Sequence, residues 1–232
     1  MEDVTIDLEN RKYIYRCISN NPGIHISELS RVLNIPKTTL CYHLRYLLQR
    51  EFIITEKEGR YKRYFIAKKV GNKDKKTLAI LREKTPRDII LYLLCNVGDS
   101  QIEISKNLNK SPKTIEFHLK KMIDSGLIER LEKKDGIIRI PRVIKTKVIE
   151  YNPVSNDAVY TLKDSLYIYQ ILIKYKDSFK DDENVKAALS VLDYYIKIKF
   201  KENIAEKTDK NWSNSDKAIE EFYKIFPCFF RA

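Results

Sequence analysis

The chain has 232 residues, 43% of them hydrophobic and 33% charged, with a net charge of +12. This apolar share suffices for packed cores and excludes a globally disordered polymer, and the length suits one large domain or two to three small ones. The positive excess is confined: residues 1–153 carry 31 Lys+Arg against 19 Asp+Glu, and residues 154–232 carry 13 of each, so the first two-thirds is the part suited to a polyanion.

The N-terminal stretch MEDVTIDLENRK is acidic and lacks the apolar core of a signal peptide. The longest apolar run, IILYLLC at 89–95, is too short to span a bilayer. Cys17, Cys41, Cys95 and Cys228 make no metal-type spacing, which fits a reducing compartment without disulfides. A cytoplasmic protein with no membrane association, metal or cofactor is expected.

In chain order, a first helix carries Ile14 and Ile18 and breaks at NNPG (20–23). A short helix with Leu29 and Leu33 follows, then the turn NIP at 34–36. The next helix places Leu40, Leu44, Leu47 and Leu48 on one face. FIITEKEGRYKRYFI (52–66) reads as a β-hairpin turning at Glu58-Gly59. AKKVGNKDKKT (67–77) is Lys-rich with few apolar residues, the composition of an exposed basic linker.

The same series then recurs. At an offset of 75, residues 11–53 align with 86–128 without a gap, pairing Asn21 with Asn96, Glu28 with Glu103, Ser30 with Ser105, Asn34 with Asn109 and His43 with His118. The second copy has Ile89, Ile90, Leu93 and Leu94, then Ile104 and Leu108, then Ile115, Leu119, Met122 and Ile123 in the matching helices. LIERLEKKDGIIRIPRVI (127–144) reads as its hairpin, turning at Asp135-Gly136. A period this long lets each copy hold its own core. Three helices and a two-stranded wing make the winged helix-turn-helix layout.

Past the repeat, helices are expected at about 156–176, 182–203 and 214–226. The first has two apolar faces, with Leu162, Leu166, Tyr169 and Leu172 on one and Tyr160, Tyr167, Ile168, Ile171 and Tyr175 on the other. Such a helix is central to a bundle or shared with a partner. The expected fold is thus mainly α with small β-hairpin wings: winged helix-turn-helix domains at 1–68 and 83–153, a basic linker at 69–82, and a C-terminal helical module at 154–232. That module suits a homodimer or a protein partner.

The stretch NPGIHISELSRVLNIPKTTLCYHLRYLLQREFI resembles the winged-helix domains of ArsR/MarR-like regulators, above all archaeal ones, and the whole resembles archaeal regulators with two tandem helix-turn-helix domains. The resemblance is specific in the first copy and weaker in the second. It implies a DNA-binding transcription regulator. The Cys/His clusters of the metal-sensing members have no counterpart here, so metal sensing is not implied.

With the apolar face turned inward, the first recognition helix (36–50) presents Lys37, Thr38, Thr39, Cys41, Tyr42 and Arg45, and it carries +3 with no acid. Arg45 suits a phosphate or guanine, and Thr38 and Tyr42 suit phosphate or a thymine methyl. Wing residues Arg60, Lys62 and Arg63 suit the backbone or minor groove. The second helix (111–125) presents Lys113, Thr114, Glu116, Phe117 and Lys120 and nets only +1. Glu116 can accept from cytosine N4 but repels phosphates. Lys133, Lys134 and Arg139 keep the second wing basic. Two residues along a helix is a turn of about 200°, so Cys41 and His43 face apart and form no metal half-site; His43, recurring as His118, and His25 read as fold residues. No P-loop, GxSxG, HExxH or dinucleotide motif appears. The leading expectation is a non-enzymatic, sequence-specific regulator whose two copies engage double-stranded DNA. A general transcription or replication factor with low sequence preference, or a protein-interaction scaffold, are the rivals.

Overall fold

The structure is a computed structural model that describes residues 2–96, 98–132, 138–141, 148–151 and 158–190, with side chains described at 8–96, 98–132 and 158–190. The chain is mainly helical with small antiparallel sheets and forms two tandem winged helix-turn-helix domains followed by C-terminal helical segments. It divides into two compact units: residues 1–84 with 175–178, and residues 85–174 with 179–232. Among the described residues no helix is long and apolar enough to cross a membrane.

The first unit contains α1 (Glu2–Asn20), β1 (Ile24–His25), α2 (Ile26–Leu33), α3 (Lys37–Gln49), β2 (Ile53–Glu58), β3 (Tyr61–Ile66) and α4 (Asn72–Leu81). The sheet order is β1-β3-β2, antiparallel throughout, with Ile24 opposite Tyr64 and Ile53 opposite Ile66. Its core joins Ile14 and Ile18 of α1, Leu29 of α2, Leu40, Leu44 and Leu47 of α3, and Ile53 and Ile66 of the wing. Each such side chain contributes roughly 1.5–3 kcal/mol by leaving water. Gly23 sits at φ +81 where the chain enters β1, and a Cβ there would meet the Phe65 ring at 3.4 Å. Both the left-handed backbone and the close ring favour glycine. The Ser178 hydroxyl donates to the carbonyl of Asn20, so the returning segment 175–178 is tied to the end of α1.

The second unit contains α5 (Lys84–Cys95), β4 (Asp99–Ser100), α6 (Gln101–Asn107), α7 (Pro112–Asp124), β5 (Ile128–Leu131), β6 (Ile138–Pro141), β7 (Val148–Tyr151), β8 (Val159–Leu162) and α8 (Ser165–Lys174). Its core matches the first, with Ile89, Ile90 and Leu93, Ile104, and Ile115, Leu119 and Met122 all buried. Residues 183–190 are also helical, and their first free N–H groups are met by Asp182, whose Oδ1 accepts from the Val185 amide at 3.1 Å. Arg87 of α5 donates to the same carboxylate at 2.9 Å.

Several sequence expectations are corrected. The stretch read as an exposed linker is mostly α4. Its Thr77–Leu81 run is buried, and even Lys75 is 8% exposed, with Nζ 3.1 Å from Glu56 and 3.1 Å from Asn72. Lysines on one side concealed an apolar run on the other. In the second wing, β5 pairs with β8, not with the next strand: the sheet order is β4-β8-β5, with Ile128 opposite Leu162 and Leu131 opposite Val159. The equivalent pairs in the first wing are Ile53–Ile66 and Glu56–Arg63. First members stand 75 apart and second members 96, so the second wing holds 21 extra residues. These include a separate antiparallel pair, β6 with β7. A wing strand therefore lies beyond residue 153, inside the segment expected to be wholly helical. The helix expected at 156–176 is β8 and then α8; on α8, Ile168, Ile171 and Leu172 are buried while Leu166 and Ile173 are exposed. The helix expected at 182–203 is seen over 183–190; the rest of it and all of 214–226 lie outside the described residues.

Candidate nucleic-acid interface

The two helix-turn-helix units share the bonds that set their second helix and the turn after it. His25 Nδ1 accepts from the Glu28 amide at 3.2 Å, and Ser100 Oγ accepts from the Glu103 amide at 3.2 Å, so each caps its second helix. Burial pushes the His25 imidazole below its ordinary pKa, which favours the neutral form with the acceptor that this cap needs. Ser30 Oγ donates to the Ile35 carbonyl at 2.7 Å and Ser105 Oγ to the Lys110 carbonyl at 2.6 Å, pinning the turn before the recognition helix. Within those turns Asn34 and Asn109 adopt φ +53 and +50, a conformation asparagine tolerates better than most residues.

These bonds fix the roll of α3. Leu40, His43, Leu44 and Leu47 face the core, leaving Lys37, Thr38, Thr39, Cys41, Tyr42 and Arg45 exposed. All six sequence-predicted helix residues are thus on the outward side. His43 is 1% exposed, with its ring edge-on to Tyr42 at 5.2 Å; it is a fold residue, as its recurrence implies. His118 stands edge-on to Phe117 at 5.2 Å in the same way. A feature that sequence reasoning missed is Arg11 of α1, whose guanidinium lies 4.0 Å from the Tyr46 ring centroid and 5.9 Å from that of Tyr42. Arg50 approaches the same Tyr46 at 5.6 Å. This cation–π stack stiffens the outward face. Arg11 Cζ and the two tyrosines belong to helices far apart in sequence, and no local signal marks them.

The wing splits the predicted basic trio. Arg60 and Lys62 are exposed, and Arg60 donates to the Tyr61 hydroxyl at 3.0 Å with its guanidinium 5.1 Å from that ring. Tyr61 in turn stacks on His25 at 4.9 Å, 14° from parallel, tying the wing to the cap of α2. Arg63, predicted as a DNA contact, is 1% exposed. It donates to Glu58, to the Gly23 carbonyl at 3.1 Å and to Glu83 at 3.4 Å. Strand alternation puts Arg63 on the face of β3 that carries Phe65, opposite the face shared by Lys62 and the core residues Tyr64 and Ile66. Both faces are covered there, and Arg63 is buried by its bonds to Glu58, Gly23 and Glu83.

In the second unit Lys113, Glu116, Phe117 and Lys120 are exposed, Phe117 at 67%. Thr114 is half-buried and bound into the helix cap: its amide donates to Ser111 Oγ at 3.1 Å and the two hydroxyls lie 2.8 Å apart. It is placed as a capping residue, unlike the exposed Thr39. Arg139 lies on β6 opposite Glu150, and Lys133 and Lys134 fall outside the described residues. Among the described residues no group of three or more His, Cys, Asp or Glu could hold a metal.

Comparison with known proteins agrees with this geometry. A family model described as an N-terminal HTH domain matches residues 8–78, which takes in the first helix-turn-helix, its wing and most of α4. A second, described as winged helix-turn-helix DNA-binding, matches residues 82–129. The chain is also 33% identical over 132 residues to a Methanocaldococcus jannaschii protein named as an uncharacterized HTH-type transcriptional regulator. The match covers 56% of this chain and 32% of that relative, so the chain spans about a third of the relative's length.

Proposed function

We propose that this chain is a sequence-specific, double-stranded DNA-binding transcription regulator of the archaeal ArsR/MarR-like kind, acting in the cytoplasm without enzymatic activity. The observation that carries the reading is the outward face of α3: an acid-free, exposed run of Lys37, Thr38, Cys41, Tyr42 and Arg45, held by a turn that the Ser30 hydroxyl pins at the Ile35 carbonyl. An α-helix of this kind fits the major groove, with base edges met by residues toward its N-terminus. In this reading α3 and α7 enter major grooves of one duplex, while Arg60, Lys62 and the basic residues of the second wing lie along the backbone. Arg63 is left out, because it is spent on the interior. The regulator name of the archaeal relative supports the assignment to transcription.

Residues 154–232 act, in the same reading, as the site of homodimer or protein contact, supported by the exposed Leu166 and Ile173 on α8 (46% and 40%). Selection of bound sequences from a random duplex pool tests the function. An enriched motif is the expected outcome. Salt-sensitive binding with no motif would instead mark a general factor, and no binding at all would mark a scaffold.

A further inference from the structure

We infer that the DNA bound by this chain is a non-palindromic duplex of two unlike blocks, and that Glu116 selects a C·G pair in one block which the first domain has no group to select. The inference rests on the reading of α3 and α7 as groove-reading helices and concerns what each of them reads.

The repeated bonds make the comparison between helices strict. Cap, pinning serine and left-handed asparagine all recur at an offset of 75, and so does the buried stripe: Leu40, Leu44 and Leu47 against Ile115, Leu119 and Met122. Residues 75 apart therefore leave their helices in the same direction. The exposed pairs that differ in chemistry include Lys37 with Pro112 and Tyr42 with Phe117, and three of them change the hydrogen-bonding group offered to a base: Thr38 with Lys113, Cys41 with Glu116, and Arg45 with Lys120. Thr38 offers a hydroxyl and a methyl where Lys113 offers a charge. Arg45 offers a planar fork that fits guanine O6 and N7, and Lys120 a point charge without that geometry.

The middle pair decides the matter. Cys41 is a weak hydrogen-bonding group, whereas an ionised Glu116 is an acceptor only. Among the described residues the Glu116 carboxylate has no hydrogen bond or ion pair, and it is exposed beside Phe117. In a groove such a group is repelled by the phosphates and is favoured only where a base presents a donor, as cytosine does at N4. The first recognition helix, α3, has no acid anywhere along its length. A single-domain dimer reads the same block twice, and its site mirrors that symmetry. One chain with two different faces has no such constraint.

The test is duplex selection with the full chain in three forms: wild type, Glu116→Gln, and a triple variant Thr38→Lys, Cys41→Glu, Arg45→Lys that gives α3 the second helix's groups at those three positions. The wild-type motif is expected to hold two blocks that are neither copies nor reverse complements. Glu116→Gln should move one C·G preference toward A·T, with about tenfold or more loss of discrimination for the original pair. It should also raise affinity for unselected duplex, because a repelling charge is gone. In the triple variant the first block should converge on the second. Like blocks or a single block in wild type, an unchanged motif in Glu116→Gln, or a retained first block in the triple variant overturns the inference while DNA reading itself stands. Absence of any wild-type motif overturns the reading on which it rests.

Discussion

Arg82 Nη1 lies 3.2 Å from the carboxylate of Glu28, joining the end of α4 to the first turn of α2 across 54 residues. The same guanidinium donates to the Pro22 carbonyl and to Asn21, each at 3.3 Å. With side-chain exposures of 6% and 21% the pair is largely desolvated. Removing one partner of such a pair strands the other, at a cost of about 3 kcal/mol. Arg82→Met should therefore lower the unfolding midpoint of the first unit markedly. A change below about 0.5 kcal/mol, the range of ordinary surface substitutions, would contradict the role given to α4.

Arg63 and Arg60 should part company under mutation. Arg63→Met leaves Glu58, Glu83 and the Gly23 carbonyl without their shared donor, and it should cost about 3 kcal/mol or more of stability. Arg60→Ala should change stability by less than about 0.5 kcal/mol yet flatten the salt dependence of DNA binding by about 0.9 log unit per log salt. Chemical denaturation and binding titrations over a salt series measure both. An Arg63→Met protein as stable as wild type would refute the interior assignment.

The cap on α2 makes stability depend on pH. Burial disfavours the His25 imidazolium in the fold; Arg63, Arg31 and Arg82 reinforce this and Glu28 opposes it. The folded pKa therefore lies below the unfolded one. The stabilisation is complete above about pH 6.5, the ordinary histidine value, and is lost as pH falls through the folded value. His25→Ser installs the cap already used at Ser100. In that variant the loss between about pH 7 and about pH 5 should shrink. Thermal melts at a series of pH values would show it, and identical pH profiles would rule the mechanism out.

The wing register specifies a chimera. Leu131–Val159 in β5–β8 corresponds to Glu56–Arg63 in β2–β3, so residues 132–158 can be replaced by the sequence of Lys57–Lys62. The shorter connection differs by about 1 kcal/mol in closure entropy, which is small beside the core. The chimera should keep its helical circular dichroism and a cooperative transition. Loss of that cooperativity would mean that β8 is not the true partner of β5.

Much of both helix-turn-helix units was legible because their information is local. The apolar stripe at Leu40, Leu44 and Leu47 sets the roll of α3, and that alone names the exposed set from Lys37 to Arg45. The repeat then carries the assignment into the second copy, and the recurrence of His43 as His118 marks both as fold residues. What is not legible is non-local. The partner of β5 lies past an inserted strand pair, while the sequence around Asp135-Gly136, which lies outside the described residues, points to a nearer one. Charge groups Arg63 with Arg60 and Lys62, and only the tertiary contacts of Arg63 with Gly23 and Glu83 separate it from them. Arg11 acts on Tyr46 through tertiary packing that no spacing reveals.

The tie between Ser178 and Asn20 has a consequence for synthesis. The chain leaves the first unit at Lys84 and returns to it at Tyr175, so a ribosome must release the whole second winged helix before the first unit gains its last segment. Most of the first unit emerges before the second and is finished after it, and translation pace through residues 85–174 sets how long it waits.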